Sequence, residues 1–213
     1  MNIERQWLGR VSYQDGLDLQ EDALRKRLAG EISDTIYLLE HEPVYTIGRT
    51  RDRSSLRGGG DALPHPVFET NRGGQATFHG PGQLVGYPIL DLKRYGQDLH
   101  TYLRALEDAL VAACSEFGVQ SQTRGSLTGV WCGERKVASI GVGVRHWISM
   151  HGFAINIDED LSGFDSIIPC GIGGVEMTSV SGEAGRDIGV REFGEVAVET
   201  LQRELVKLQG ARK

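Results

Sequence analysis

The sequence predicts an α+β protein, on three observations. Short β-like segments crowd its middle, glycine and proline separate them, and the few amphipathic helices stand apart instead of alternating with strands. Of 213 residues, 29 are glycine, about twice the usual share. They gather in short runs without a period, which predicts tight turns and close approach of backbone to a ligand. No repeat or linker divides the chain, so residues 1–213 are expected to fold as one domain with a sizeable core.

The first helix is expected over 13–28, with Leu17, Leu24 and Leu28 on one face. Strands follow at 34–42 and 44–48, broken at Pro43, and then a polar loop rich in Gly and Pro over 49–66. Residues 67–71, 76–80 and 84–92 read as further strands. The clearest helix is 99–117. Leu99, Leu103, Leu106, Leu110, Ala113 and Phe117 form its stripe, Asp98 its N-cap and Gly118 its stop. Residues 129–133, 136–144 and 146–157 read as a meander. A last helix is expected at 191–208, burying Phe193, Val196, Ala197, Leu201, Leu205 and Leu208.

Composition excludes several classes. A net charge of −6 argues against a nucleic-acid binder, which needs a basic field. Three cysteines without a CxxC pair make neither a disulfide framework nor a zinc ribbon. The opening MNIERQWLGRVSYQDG carries no apolar targeting segment, and no run approaches a membrane span, so a cytoplasmic protein is expected. Phosphate loops of the GxxxxGK[ST] type are absent, and GPGQLVG (80–86) has the wrong spacing for a dinucleotide fingerprint. His146 and His151, an odd separation on one strand, point to opposite faces and make no metal pair.

Candidate chemistry lies elsewhere. In RGGQATFHGPGQLVGYP (72–88) five glycines flank a β-like segment. The segment is either a ligand-hugging loop with N–H groups to lend or a strand pair with glycine turns. His79 stands just before its GPG turn. His151 falls in phase with Trp147, Phe153 and Ile155, as a core or pocket-wall histidine would. Cys114 and Cys132 read as packing residues. Cys170, within IIPCGIGG, sits in a turn where a thiol is either a small buried group or a nucleophile. A thiol of pKa about 8.5 is only a few per cent ionised at neutral pH, so a nucleophile needs an activating partner. Lys136 opens KVASIGVGV and, counted by twos, shares a face with Ala138, Ile140, Val142 and Val144. It is either a partly dry base or an end-of-strand lysine reaching water.

Four segments, RGGQATFHGPGQLVGYPILDL (72–92), GVWCGERKVASIG (129–141), HGFAINI (151–157) and PCGIGG…MTSV (169–180), together resemble the lipoyl(octanoyl) transferase family. The resemblance runs from about residue 8 to the MTSV strand. It implies a biotin/lipoyl protein ligase-like catalytic domain, with mixed β-sheets flanked by helices, and a catalytic pair of Cys170 and Lys136. It further implies an acyl pocket formed by Arg72, Gly73, Gly74, Gln75, Ala76, Thr77, Phe78 and His79, by Ser139, Ile140 and Gly141, and by Gly152, Phe153 and Ala154. His41, Tyr87 and His151 match further pocket-facing positions. Two departures stand out: in the stretch after Lys136 the second valine, Val142, is followed by Gly143 where an arginine is often found, and Cys132 replaces a commonly apolar residue.

The activity so implied is transfer of an octanoyl group from octanoyl-acyl carrier protein to a lysine of a lipoyl domain, through an S-octanoyl-cysteine. The expected acceptors are the lipoyl domains of 2-oxoacid dehydrogenase complexes and the glycine cleavage H protein. Neither ATP nor a metal is expected, and the enzyme is expected to be a monomer. Arg49, Arg51, Arg53 and Arg57 are expected to steer the acidic carrier. The alternatives are an ATP-dependent lipoate or biotin ligase on the same fold, a cysteine thioesterase, and a non-catalytic acyl-carrier-binding protein.

Overall fold

The computed structural model describes residues 3–57, 63–125, 127–171 and 173–210; the side chain of Cys170 lies outside that description. The fold is α+β with two mixed sheets. Strands β1 (Glu4–Val11), β2 (Thr35–His41), β6 (Gln83–Ile89), β7 (Gln122–Arg124), β8 (Leu127–Cys132), β9 (Arg135–Arg145) and β10 (Ile148–Asn156) form the larger one. Their order is β1-β2-β6-β10-β9-β8-β7, and only β1 runs parallel to its neighbour. Strands β3 (Val44–Ile47), β4 (Val67–Glu69) and β5 (Thr77–His79) form a small sheet in the order β4-β3-β5. Pro43 thus marks the point where the chain leaves one sheet for the other, because proline cannot continue a ladder.

Helices cover the larger sheet on both faces. On one side α2 (Leu99–Glu116) and α4 (Val190–Gly210) pack on Leu38, Leu84, Val130, Cys132, Ala138, Ile140, Val142 and Ile155. On the other, α1 (Tyr13–Ala29) buries Ala23 and Leu24 against Tyr37, Leu39, Val85, Tyr87, Met150 and Ala154. The small sheet has its own core of Tyr45, Ile47, Ala76, Phe78, Phe164 and Ile167.

The helix boundaries follow local chemistry. Ser12 and Asp98 cap α1 and α2 by accepting from Asp15 N–H and Thr101 N–H, and α1 stops at Gly30 with φ +75°. The buried face of α1 is rotated from the expected stripe, while that of α2 largely follows it. In α1 the packed row is Tyr13, Gly16, Gln20, Ala23 and Leu24, while Leu28 is 46% exposed. In α2 Leu106, Leu110 and Ala113 are buried and Leu103 and Phe117 pack against the core as expected, Tyr102 and Ala109 join them, and Leu99 is exposed. Two further corrections concern strands. The 177–180 segment is no strand; Met177 makes a single parallel bridge to Lys136. The meander's last strand begins at Ile148, since His146 and Trp147, with φ of +55° and +66°, form the turn.

Close approach of β6 and β10 shapes the sheet beneath the site. The ring of Phe153 lies across its partner Gly86, where a Cβ would stand 2.2 Å from Phe153 Cζ. A Cβ on Gly152 would stand 2.4 Å from the Gly86 carbonyl oxygen. Both positions therefore require glycine.

Candidate active site

On the α1 side of the larger sheet the 72–77 loop arches over β6, β9 and β10 and encloses a narrow cavity of about 50 Å³. Arg72, Gly74, Gln75, Thr77 and His79 line it from above. Ser139, Ile140, Gly141, His151, Gly152, Phe153, Ala154 and Tyr87 line it from the sheet. Tyr13 and Val85 complete the wall and were not expected. Their only signals are the helix-start position of Tyr13 after the Ser12 cap and the even spacing of Val85 from Tyr87.

Four expected pocket residues do not line the cavity. Ala76 and Phe78 face the small sheet's core. Gly73 donates its N–H to the Val142 carbonyl at 3.0 Å, pinning the loop to β9. His41 stands behind Tyr87, whose hydroxyl donates to its Nε2 at 2.6 Å.

Arg72 is buried and holds the loop together. Its Nη2 donates to the carbonyls of Thr46 and Gln75, both at 2.9 Å, and to Thr46 Oγ1 at 2.7 Å; Nη1 donates to the Gly73 carbonyl. Around it the titratable groups are neutral. Burial pushes His41 and His151 down to about 4, and drives His79 well below the usual histidine range, with His41 adding to the effect. Burial also raises Tyr13 to about 12, opposed by Arg72. Neutral His41 donates from Nδ1 to the Val11 carbonyl, which leaves Nε2 as the acceptor for Tyr87. Such a lining suits an uncharged, largely apolar guest.

Behind the cavity a relay leads inward. His79 Nδ1 meets Gln83 Oε1 at 2.7 Å, and Gln83 Nε2 donates to Glu159 Oε2 at 3.0 Å. Glu159 is 7% exposed, and burial raises its carboxyl to about 9.

Lys136 is wholly buried. Counting by twos put it in the row of Ala138, Ile140 and Val142, which faces α2 and α4, and the structure corrects this. Register slips between Val130↔Ala138 and Trp131↔Lys136, so β9 carries one extra residue at Val137. Val137 and Ala138 both enter the helix-side core, as do Val130 and Cys132, but Trp131 does not. Lys136, directly opposite Trp131, therefore lies on the cavity face, one same-face position beyond Ser139. Its Nζ donates to the Thr128 carbonyl at 3.1 Å and stands 5.4 Å from the Trp131 ring centroid.

His151 changes sides for a related reason. Its φ of +54° and that of Gly152, +158°, turn it out of phase with Ile155 and into the cavity wall, where Nε2 meets Asn71 Oδ1 at 2.6 Å.

The backbone of Cys170 lies in a single 3₁₀ turn, Pro169–Gly171. Its two flanks are fixed. Ile168 N–H donates to the Ser55 carbonyl at 2.7 Å, and Gly171 packs so tightly on Gln75 that a Cβ would stand 1.8 Å from Oε1. Downstream, Lys136 N–H donates to the Glu176 carbonyl at 2.8 Å and Thr178 N–H to the Lys136 carbonyl at 3.0 Å. One side of the turn is thus tied to the cavity wall and the other to the lysine's own backbone. The remaining thiols are inert: burial raises Cys114 to about 11 and Cys132 to about 12.

The family model of the lipoyl protein ligase A/B catalytic domain matches residues 12–202. The chain belongs to this family. Relatives at 44–51% identity over most of the chain include octanoyltransferases. That of Geobacter sulfurreducens is 51% identical over 188 residues, covering 87% of this chain and 77% of that protein. That of Citrifermentans bemidjiense is 48% identical over 195 residues, covering 92% and 93%. A putative lipoate protein ligase from T. acidophilum superposes with a TM-score of 0.71 at 13% identity, covering 97% of this chain and 86% of that one, a likeness of fold alone. Octanoyl transfer is thus the activity of the branch in which this chain falls. Among the described residues no group of three or more His, Cys, Asp or Glu could hold a metal ion, and no helix is long and apolar enough to cross a membrane.

Proposed function

We propose that this octanoyltransferase takes its acyl group from octanoyl-acyl carrier protein and delivers it to the ε-amine of a lipoyl-domain lysine, with Cys170 as nucleophile and Lys136 as base. The observation that carries the reading is the bulge that turns Lys136 onto the cavity face, beside the chain leaving the Cys170 turn.

In the first half-reaction the Cys170 sulfur attacks the thioester carbonyl and its proton passes to Lys136. The carrier's thiolate leaves and takes that proton from Lys136, and an S-octanoyl-cysteine remains. In the second, the acceptor amine attacks that thioester, Lys136 takes the amine's proton, and the sulfur departs as an amide forms. Exchange of one thioester for another is nearly isoenergetic and formation of the amide is downhill, so no ATP is consumed. The octanoyl tail occupies the neutral slot under the 72–77 loop. Gly171 N–H already donates to the Ile168 carbonyl at 2.9 Å, so the donors for the developing oxyanion come from the 72–79 segment. The reaction belongs in the cytoplasm.

The test is incubation with octanoyl-acyl carrier protein and apo lipoyl domain, without ATP, followed by intact mass measurement of all three proteins. One octanoyl group should appear first on the enzyme and then on the domain, and Cys170→Ser should accumulate no thioester-linked adduct. Normal labelling of that variant would remove Cys170 from the scheme. Transfer only from free octanoate with ATP would establish the ligase reading instead.

The basic loop refines the carrier's approach. Arg51 and Arg53 both reach Glu69, at 3.5 and 3.1 Å, and are partly neutralised. Arg57 donates to the Ile167 carbonyl at 3.2 Å, three residues before Cys170. Arg57→Glu should therefore raise the carrier KM about tenfold at low salt and much less at high salt. A KM equal to wild type at low salt would end the steering role.

A further inference from the structure

Glu107 is an anomaly on α2. It is 1% exposed on the helix face that packs against the sheet, where apolar side chains otherwise stand, and desolvating a carboxylate there is costly. Its Oε2 is paired with Arg104, one turn earlier, and Arg104 Nη2 also donates to the Gly125 carbonyl at 2.9 Å. Its Oε1 accepts from Gly129 N–H at 2.8 Å. That N–H belongs to the same peptide unit as the Thr128 carbonyl, which accepts from Lys136 Nζ at 3.1 Å. Carboxylate, peptide group and lysine amine are thus linked in series. A negative charge at the N–H end polarises the peptide and makes its oxygen a stronger acceptor at the other end.

Gly129 lies tight against the lysine stem as well as against the neighbouring strand. Its φ is +131°, and a Cβ there would stand 2.5 Å from the Ala138 carbonyl oxygen and 2.6 Å from Lys136 Cε. A conformation suited to glycine and the absence of a side chain leave room both for the paired strand and for the lysine stem. Glu107 anchors the N–H of that same residue.

We propose that Glu107 is a positioning residue for Lys136, acting through the Thr128–Gly129 peptide to hold the amine in place and to put a negative charge behind it. The inference rests on the reading of Lys136 and Cys170 as the reacting pair.

The test compares Glu107→Gln, which keeps the shape and loses the charge, with Glu107→Asp, which keeps the charge and loses the shape. Two quantities are measured on the full chain: the pH dependence of Cys170 alkylation by iodoacetamide, and single-turnover octanoyl transfer. In Glu107→Gln the alkylation midpoint should move up by about half a unit to one unit, because less positive charge is held beside the thiolate. Transfer at neutral pH should fall about fivefold with the carrier KM unchanged. Glu107→Asp should keep the wild-type midpoint. A merely structural role ranks the two variants the other way, since shape is then what matters. A wild-type midpoint in Glu107→Gln overturns the proposal. If that variant does not fold, a midpoint shifted in Glu107→Asp overturns it instead. Cys170→Ala separates this failure from that of the pair: octanoyl transfer surviving there removes the pair itself.

Discussion

Lys136→Met is expected to lower octanoyl transfer about a thousandfold at neutral pH while leaving the fold at least as stable. The loss follows from the two proton transfers assigned to the amine, since a positioned general base typically contributes about 10²–10⁴-fold. The stability follows from burial. The side chain is wholly inaccessible, and methionine replaces it with an unbranched apolar chain of similar length. Losing the hydrogen bond to the Thr128 carbonyl costs about 1 kcal/mol, but the penalty of burying a polar amine disappears with it. Single-turnover transfer and a thermal melt check both halves. Retention of more than roughly a tenth of the wild-type rate removes Lys136 as the base.

Stability should peak near pH 6 and fall on both sides, for separate reasons. On the acid side His41, His79 and His151 have folded values depressed below the ordinary 6.5. The unfolded chain then binds more protons, so stability is lost as pH falls from about 6.5 towards 4. On the alkaline side Glu159 works in the opposite sense. Its folded value of about 9 stands above the ordinary 4.5, so the native state keeps a proton that the unfolded chain releases. Stability therefore declines as pH rises from about 4.5 to 9. Glu159→Gln keeps an acceptor for Gln83 Nε2 and carries no ionisable proton. It should stabilise the protein by about 2 kcal/mol at pH 8, flatten the alkaline limb, and steepen the acid limb above about pH 4.5, where Glu159 otherwise opposes the histidines. Urea titrations across this range measure it; an alkaline limb that persists in the variant assigns the effect elsewhere.

Much of the fold was legible because it follows from local rules. Pro43 separates two strands, Asp98 caps α2, and the glycine-rich 72–88 segment lies against the cavity, as composition suggested. What escaped depends on tertiary pairing. The strand at Glu4–Val11 is half exposed, charged and without alternation, and only its pairing with β2 makes it a strand. The three-residue β7 is likewise defined by its partner β8. At the site, period-two counting failed for Lys136 and for His151, once through an inserted residue and once through a positive φ. The family resemblance named most of the cavity wall. It could not distinguish residues that face the guest from Ala76, Phe78 and Gly73, which hold the loop that does.

The supernumerary residue at Val137 has a wider consequence. Upstream of it the strand's inner and outer rows exchange places, so the distance along the chain from Lys136 to Ser139 is conserved in function only as an odd number of steps. Exchanging the greasy side chains of this stretch leaves that count intact, but loss or gain of one unit there would entomb the amine under the helices.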